Sequence, residues 1–171
     1  MEKHLVLVSL VYLLVVVNAH AIDMRPLDCK GGQKVKVEAP TNLSGQSFDV
    51  RCDSRHPDSI SFIYTPADSK ESVVVSILKT DQMKNSFLMK MLAERTIKDI
   101  VTKATESNTA KLPRPNAVGK DSNNRLVGVF SSNNSIIEIH DGRKGSSEKE
   151  LVAFAKGFAE AVGPIVSSWK E

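Results

Sequence analysis

The chain has 171 residues, 23 lysines and arginines against 20 aspartates and glutamates, and two cysteines. Charges of both signs are mixed along it without a basic block, and aromatic residues make up 5%, so neither a nucleic-acid interface nor a polybasic membrane patch is expected. Without the apolar leader at residues 1–21, about 150 residues remain, enough for one domain with its own core.

The leader has three parts. Glu2, Lys3 and His4 are polar, and Leu5 to Val17 is apolar except for Ser9. Asn18-Ala19-His20-Ala21 then sets small residues at −3 and −1 of a cut before Ile22. That is the plan of a secretory signal peptide. The apolar run falls short of the ~20 residues of a comfortable span, and an uncleaved anchor over Leu5 to Ile22 is the alternative. The ending Trp169-Lys170-Glu171 lacks the apolar tail of a lipid-anchor signal. The expected product is therefore secreted, extracellular or lumenal (periplasmic in a bacterium), with no membrane span after cleavage.

Residues 22–33 form a lead-in holding Cys29, and 34–171 form the domain. On a secretory route Cys29 and Cys52 are expected to be bonded, stabilising the fold by roughly 3 kcal/mol. A thiolate metal site is the rival, but no Cys-x-x-Cys spacing or nearby histidine supports it. Asn42-Leu43-Ser44 and Asn133-Asn134-Ser135 are acceptor sequons, giving Asn42 and Asn133 as candidate glycosylation sites.

Lys34 to Val37 alternates as a short strand, and Pro40 to Gly45 reads as a loop. From Ser47 to Cys52 alternation returns, with Phe48, Val50 and Cys52 pointing inward. After a turn around Pro57, Ile60, Phe62 and Tyr64 share one face of a third strand. Ser72 to Leu78 is apolar on both faces, as a central strand covered on both sides would be. Residues 83–105 contain neither Gly nor Pro and predict a helix starting near Asp81 or Asn85. Met83, Phe87, Leu88, Met91 and Leu92 form its first buried stripe, and Ile97, Ile100, Val101 and Ala104 its second. The methionines, Met89 included, are read as core filling.

Ser107 to Asn124 is long, polar and without periodicity, so it is expected to be a loop. Leu126 to Phe130 and Ile136 to His140 predict a hairpin with the four-residue tip 131–134. Ser147-Glu148-Lys149-Glu150 is a capping box. Behind it, Leu151, Phe154, Ala155, Phe158, Ala161, Val162, Ile165 and Trp169 keep the rhythm of one helical face, until Gly163-Pro164 is expected to end or kink the helix.

The order β-β-β-β-α-β-β-α predicts an α+β domain, an antiparallel sheet carrying two amphipathic helices and one disulfide. Ser59-Ile60-Ser61-Phe62-Ile63-Tyr64-Thr65-Pro66, a strand ending at a Tyr-x-Pro turn, precedes a short-gapped strand, a long helix, and a hairpin leading into a C-terminal helix near Val166. In this arrangement the chain resembles the Mog1/PsbP-like α/β/α sandwich. The resemblance is one of architecture, and it implies a binding module rather than an enzyme.

No catalytic, metal or cofactor signature is expected to operate. His140 shares a strand face with Glu138, the geometry of a base and its orienter. However, both cysteines are committed to the disulfide and no Gly-x-Ser-x-Gly elbow occurs, so a wet strand end is the reading. His56 with Asp53 and Asp58 matches no zinc spacing and reads as a turn around Pro57. Gly31-Gly32 lacks the context of a phosphate cradle. The 107–124 loop carries Lys111, Arg114 and Lys120, a candidate binding lip for an acidic protein or an anionic small ligand. The functional expectation is a secreted or lumenal, non-enzymatic binding module. The alternatives are a small hydrolase-like enzyme using Glu138 and His140, and a structural or host-interaction surface antigen.

Overall fold

Alternation decides the core. Phe48, Val50, Cys52, Ile60, Phe62 and Tyr64 are all buried on one face of neighbouring strands, with their polar alternates turned the other way. The computed structural model describes residues 22–32, 34–80, 86–104 and 112–170. Residues 1–21, where the signal peptide is expected, Asp81 to Asn85 and Lys111 lie outside them. The strands are β1 (Met24–Asp28), β2 (Lys36–Pro40), β3 (Asn42–Leu43), β4 (Gln46–His56), β5 (Ser59–Pro66), β6 (Val73–Lys79), β7 (Lys103–Ala104), β8 (Asn116–Lys120), β9 (Leu126–Ser132) and β10 (Ser135–Asp141). The helices are α1 (Ser86–Ile100) and α2 (Glu148–Ser168). Among the described residues, eight strands form one antiparallel sheet in the order β3-β4-β5-β6-β10-β9-β8-β7, and β1 pairs with β2 in a separate ribbon. The α+β class, the antiparallel sheet, both helices and the disulfide are as expected.

α2 lies on the face that buries Phe62 and Tyr64. Its predicted stripe, Leu151 through Ile165, is buried there. Phe48, Phe62, Tyr64, Phe154 and Phe158 form one aromatic group with ring centroids 5.4–6.4 Å apart. Burial holds the Tyr64 hydroxyl well above its usual pKa, and it meets no hydrogen-bond partner among the described residues. The capping box is present: Ser147 Oγ accepts from the Glu150 amide, and Glu150 accepts from the Ser147 amide. The ribbon closes the other side of α2, burying Val35, Val37 and Ala39, and the Lys36 and Lys170 backbones exchange two 2.9 Å hydrogen bonds. By length and composition α2 could cross a membrane, but its apolar stripe is consumed by this core.

α1 covers only part of the opposite face. Ala93 and Val101 pack with Val127, Val129 and Ile136, and Met89, Leu92, Ile97 and Ile100 flank them.

Several expectations are corrected. Phe87, Leu88 and Met91 are 64, 48 and 51% exposed; the buried stripe runs instead through Met89, Ala93 and Ile97, because the N-terminal half of α1 is apolar all round and periodicity could not choose a face. The helix stops at Ile100, where Thr102 turns its amide and hydroxyl to the Lys120 carbonyl and the chain joins the sheet as β7. β6 is buried on the α2 side, whereas Val74 is half-buried and Leu78 is exposed on the other, beyond the reach of α1. The expected loop at 107–124 contains β8, recruited by pairing with β9. The lead-in contains β1, and the hairpin tip is two residues, Asn133 and Asn134, both with positive φ. α2 continues through Pro164 to Ser168. Pro164 is on the exposed side of the helix, as is Glu160, whose carbonyl loses its amide partner.

Candidate functional site

A strongly charged concavity opens where the β8–β9 turn faces the start of α2. It has a volume of about 660 Å³, with Lys120, Arg125, Arg143, Lys144 and Lys149 on its walls against two carboxylates, Asp141 and Glu148. Three backbone features build it. Asp121 is buried and accepts the Asn123 and Arg125 amides at 2.8 and 2.9 Å, which ties the turn. The β10 strand delivers Asp141 at its buried end, and the capping box fixes the first turn of α2, which contributes Ser147, Glu148 and Lys149 to the lining.

The cations differ in how they are held. Arg143 makes a two-pronged contact with Asp141, Nε to Oδ1 at 2.9 Å and a terminal nitrogen to Oδ2 at 2.7 Å. That hydrogen bonding keeps the guanidinium above its ordinary pKa. Arg125 holds Asp121 through one oxygen only, its Nε and a terminal nitrogen both meeting Oδ2, at 3.0 and 2.9 Å. The Arg125 amide, first among the groups donating to it, holds the Asp121 carboxyl below its usual range. Lys144 reaches Glu71 at 3.6 Å, an exposed pair of small energetic weight. Lys120 and Lys149 make no ion pair among the described residues. Two arginines are thus fixed by carboxylates beneath them, while two lysines stand with their charge uncompensated.

Of the candidate lip, Lys120 lines this cleft. Arg114 lies at the opposite end of β8, where its carbonyl accepts from the Ser131 hydroxyl. The strand holds the two apart, so they do not form one lip, and Lys111 lies outside the described residues. Arg125, Arg143 and Lys149 were missed by sequence reasoning, because they come from separate segments brought together only by the β9–β10 hairpin.

Glu138 and His140 share a strand face, as expected, but the face is drier than a wet strand end. Register places Ser76 opposite Glu138 and Ser61 opposite Ser76, and the two serine hydroxyls are 3.0 Å apart. Among the described residues no hydrogen bond joins His140 to Glu138 or to either serine, so the nucleophile–base contact of about 2.6–3.2 Å is not made. Burial raises the Glu138 carboxyl pKa. Burial, then Arg125, lowers that of His140, with Asp121 acting in the opposite direction. The folded state therefore holds the Glu138 proton more tightly than the unfolded chain does. That contribution is present at acidic pH and is lost as pH rises through the raised value. His140 works in reverse, since protonating it below the usual imidazole range penalises the folded state. Glu138→Gln is accordingly expected to be more stable than the parent at neutral pH, with the gain vanishing at acid pH, where the parent carboxyl is protonated in both states. Denaturant titrations at the two pH values check this; a gain equal at both would show that desolvation of the carboxylate is not the cause.

His56 is exposed at the end of β4, and Asp53 pairs with Arg55 at 3.5 Å. Among the described residues no three His, Cys, Asp or Glu side chains converge as metal ligands. No protein-family model, curated protein or solved structure matches the chain.

Proposed function

We propose that the domain is a secreted or lumenal, non-enzymatic binding module that takes an anionic ligand in the cleft between the β8–β9 turn and the first turn of α2. The observation that carries this reading is the pair Lys120 and Lys149, which make no ion pair among the described residues, on the wall of one 660 Å³ concavity whose other cations, Arg125, Arg143 and Lys144, are matched by Asp121, Asp141 and Glu71. The arginines, pinned by Asp121 and Asp141, offer fixed positive charge at little conformational cost, and the lysines supply mobile ammonium groups that close on the ligand. The Cys29–Cys52 disulfide is consistent with a location outside the cytosol. The α/β/α layering is compatible with the Mog1/PsbP-like resemblance, which implies binding rather than catalysis.

The test uses a heparin oligosaccharide and inorganic phosphate as probes in calorimetric titrations. The oligosaccharide is expected to bind, and more weakly as salt rises. The double variant Lys120→Glu, Lys149→Glu is expected to lose affinity by about tenfold or more, roughly 1.4 kcal/mol, with its melting curve unchanged. Binding of phosphate alone would narrow the ligand to a small anion. Binding insensitive to both salt and charge reversal would overturn the cleft as the site.

A further inference from the structure

Both sequon asparagines are exposed, and it is the backbone around each that separates them. Asn42 sits on β3, the outermost strand at one edge of the eight-stranded sheet, and it is exposed. Its neighbour Leu43 is buried, and the Ser44 hydroxyl, the third sequon position, donates to the Ala153 carbonyl of α2 at 2.6 Å. These two residues anchor the tripeptide while leaving the Asn42 amide outside. Beside it opens a shallow cavity of about 440 Å³, with Asp23 and Glu160 among its lining residues. It offers carboxylate acceptors to the hydroxyls of a first sugar.

Asn133 has no such freedom. It stands in the tight β9–β10 turn with φ of 49°. Its Nδ2, the atom a glycan would occupy, donates to Ser132 Oγ at 3.1 Å. The same atom faces α2 beside Gly163, 3.4 Å from where a Cβ on that glycine would be. The turn cannot swing away, because both the amide and the hydroxyl of Thr80 donate to the Asn134 carbonyl. Oligosaccharide is transferred to the extended chain, so what the fold decides is which glycan the finished domain can carry.

We infer that Asn42 is the N-glycosylated residue of the secreted domain and that Asn133 is left bare. The inference rests on the secretory reading above. A glycan at Asn42 also covers the free backbone edge of β3, where another strand could otherwise pair.

The test is expression of the full chain, with its own N-terminus, in a eukaryotic secretory host. An amide-cleaving glycosidase is then applied, and the asparagine it converts to aspartate is mapped by mass spectrometry. The medium is expected to contain a singly glycosylated protein with conversion at Asn42. Asn42→Gln should remove the whole mobility shift and Asn133→Gln should leave it intact. Secreted protein bearing no glycan, or one mapped to Asn133, would overturn the Asn42 assignment and leave the secretory reading standing. Retention in the cytosol with both thiols free would sink the two together. The mapping reads the parent protein, so it holds even where a variant fails to fold.

Discussion

Replacing Phe158 with alanine is expected to lower the free energy of unfolding by about 3–5 kcal/mol, the range for truncating a large buried aromatic. Phe158 has no exposed surface and occupies the middle of α2. Its ring meets Tyr64 edge-on at 5.9 Å, lies 6.3 Å from Phe62, and stacks at 6.4 Å on Phe154 one turn earlier. Neighbours held in that many directions cannot collapse into the vacated space, so the cavity term adds to the lost transfer energy. Denaturant unfolding should show a lower midpoint with an unchanged slope, the mark of altered stability without altered compactness. A midpoint within a few tenths of a kcal/mol of the parent would mean that α2 presents a different face to the sheet.

Removing the disulfide by Cys29→Ser with Cys52→Ser is expected to cost roughly 3 kcal/mol on the chain-entropy account, and its effect should be local in order. The bond joins Cys29 to the buried Cys52 on β4 with Cα atoms 4.5 Å apart. Around it the backbone is stitched by hydrogen bonds from Lys30 to Cys52, from Ser54 to Lys30 and from Cys29 to Val35. β1 itself has half-buried Met24 and Leu27 and exposed Arg25, Pro26 and Asp28, so it has little apolar area to hold it. β2 differs, because Val35, Val37 and Ala39 are buried against the α2 side. Hydrogen exchange should therefore quicken at 24–30 first and leave 35–39 protected with the sheet and α2. Uniform acceleration across the domain, or none at β1, would show that the bond is not the tether of this ribbon.

Strong local periodicity was legible because the sheet needed nothing more. The faces of β4 and β5, the stripe of α2 and the Ser147 cap could be read directly from spacing. The cysteine pair followed from its even count and the expected secretory route. β8 was hidden because Asn116-Ala117-Val118-Gly119-Lys120 has little strand propensity, and only pairing with β9 makes it extended. Its glycine is required by the neighbour: a side chain at 119 would run into the Lys103 backbone carbonyl. β1 was hidden by Pro26, which a ribbon edge tolerates and a central strand does not. The buried face of α1 could not be chosen, since its first half offers apolar residues in every direction. As for the basic cleft, Lys120 was visible as a charge, but its partners Arg125, Arg143 and Lys149 converge through tertiary folding that no local pattern encodes.

The chain's single tryptophan occupies a telling place. Trp169 caps the C-terminal end of α2, is almost wholly covered, and carries the Lys79 ammonium 3.9 Å above its ring. The next residue, Lys170, is bonded to Lys36 of the ribbon. Intrinsic fluorescence of this protein is consequently an optical gauge of one event, the seating of the final turn of α2 between ribbon and sheet. Tyr64, the one tyrosine after the leader, sits in the aromatic group at the other end of the same helix stripe, so the two chromophores watch separate halves of a single packing surface.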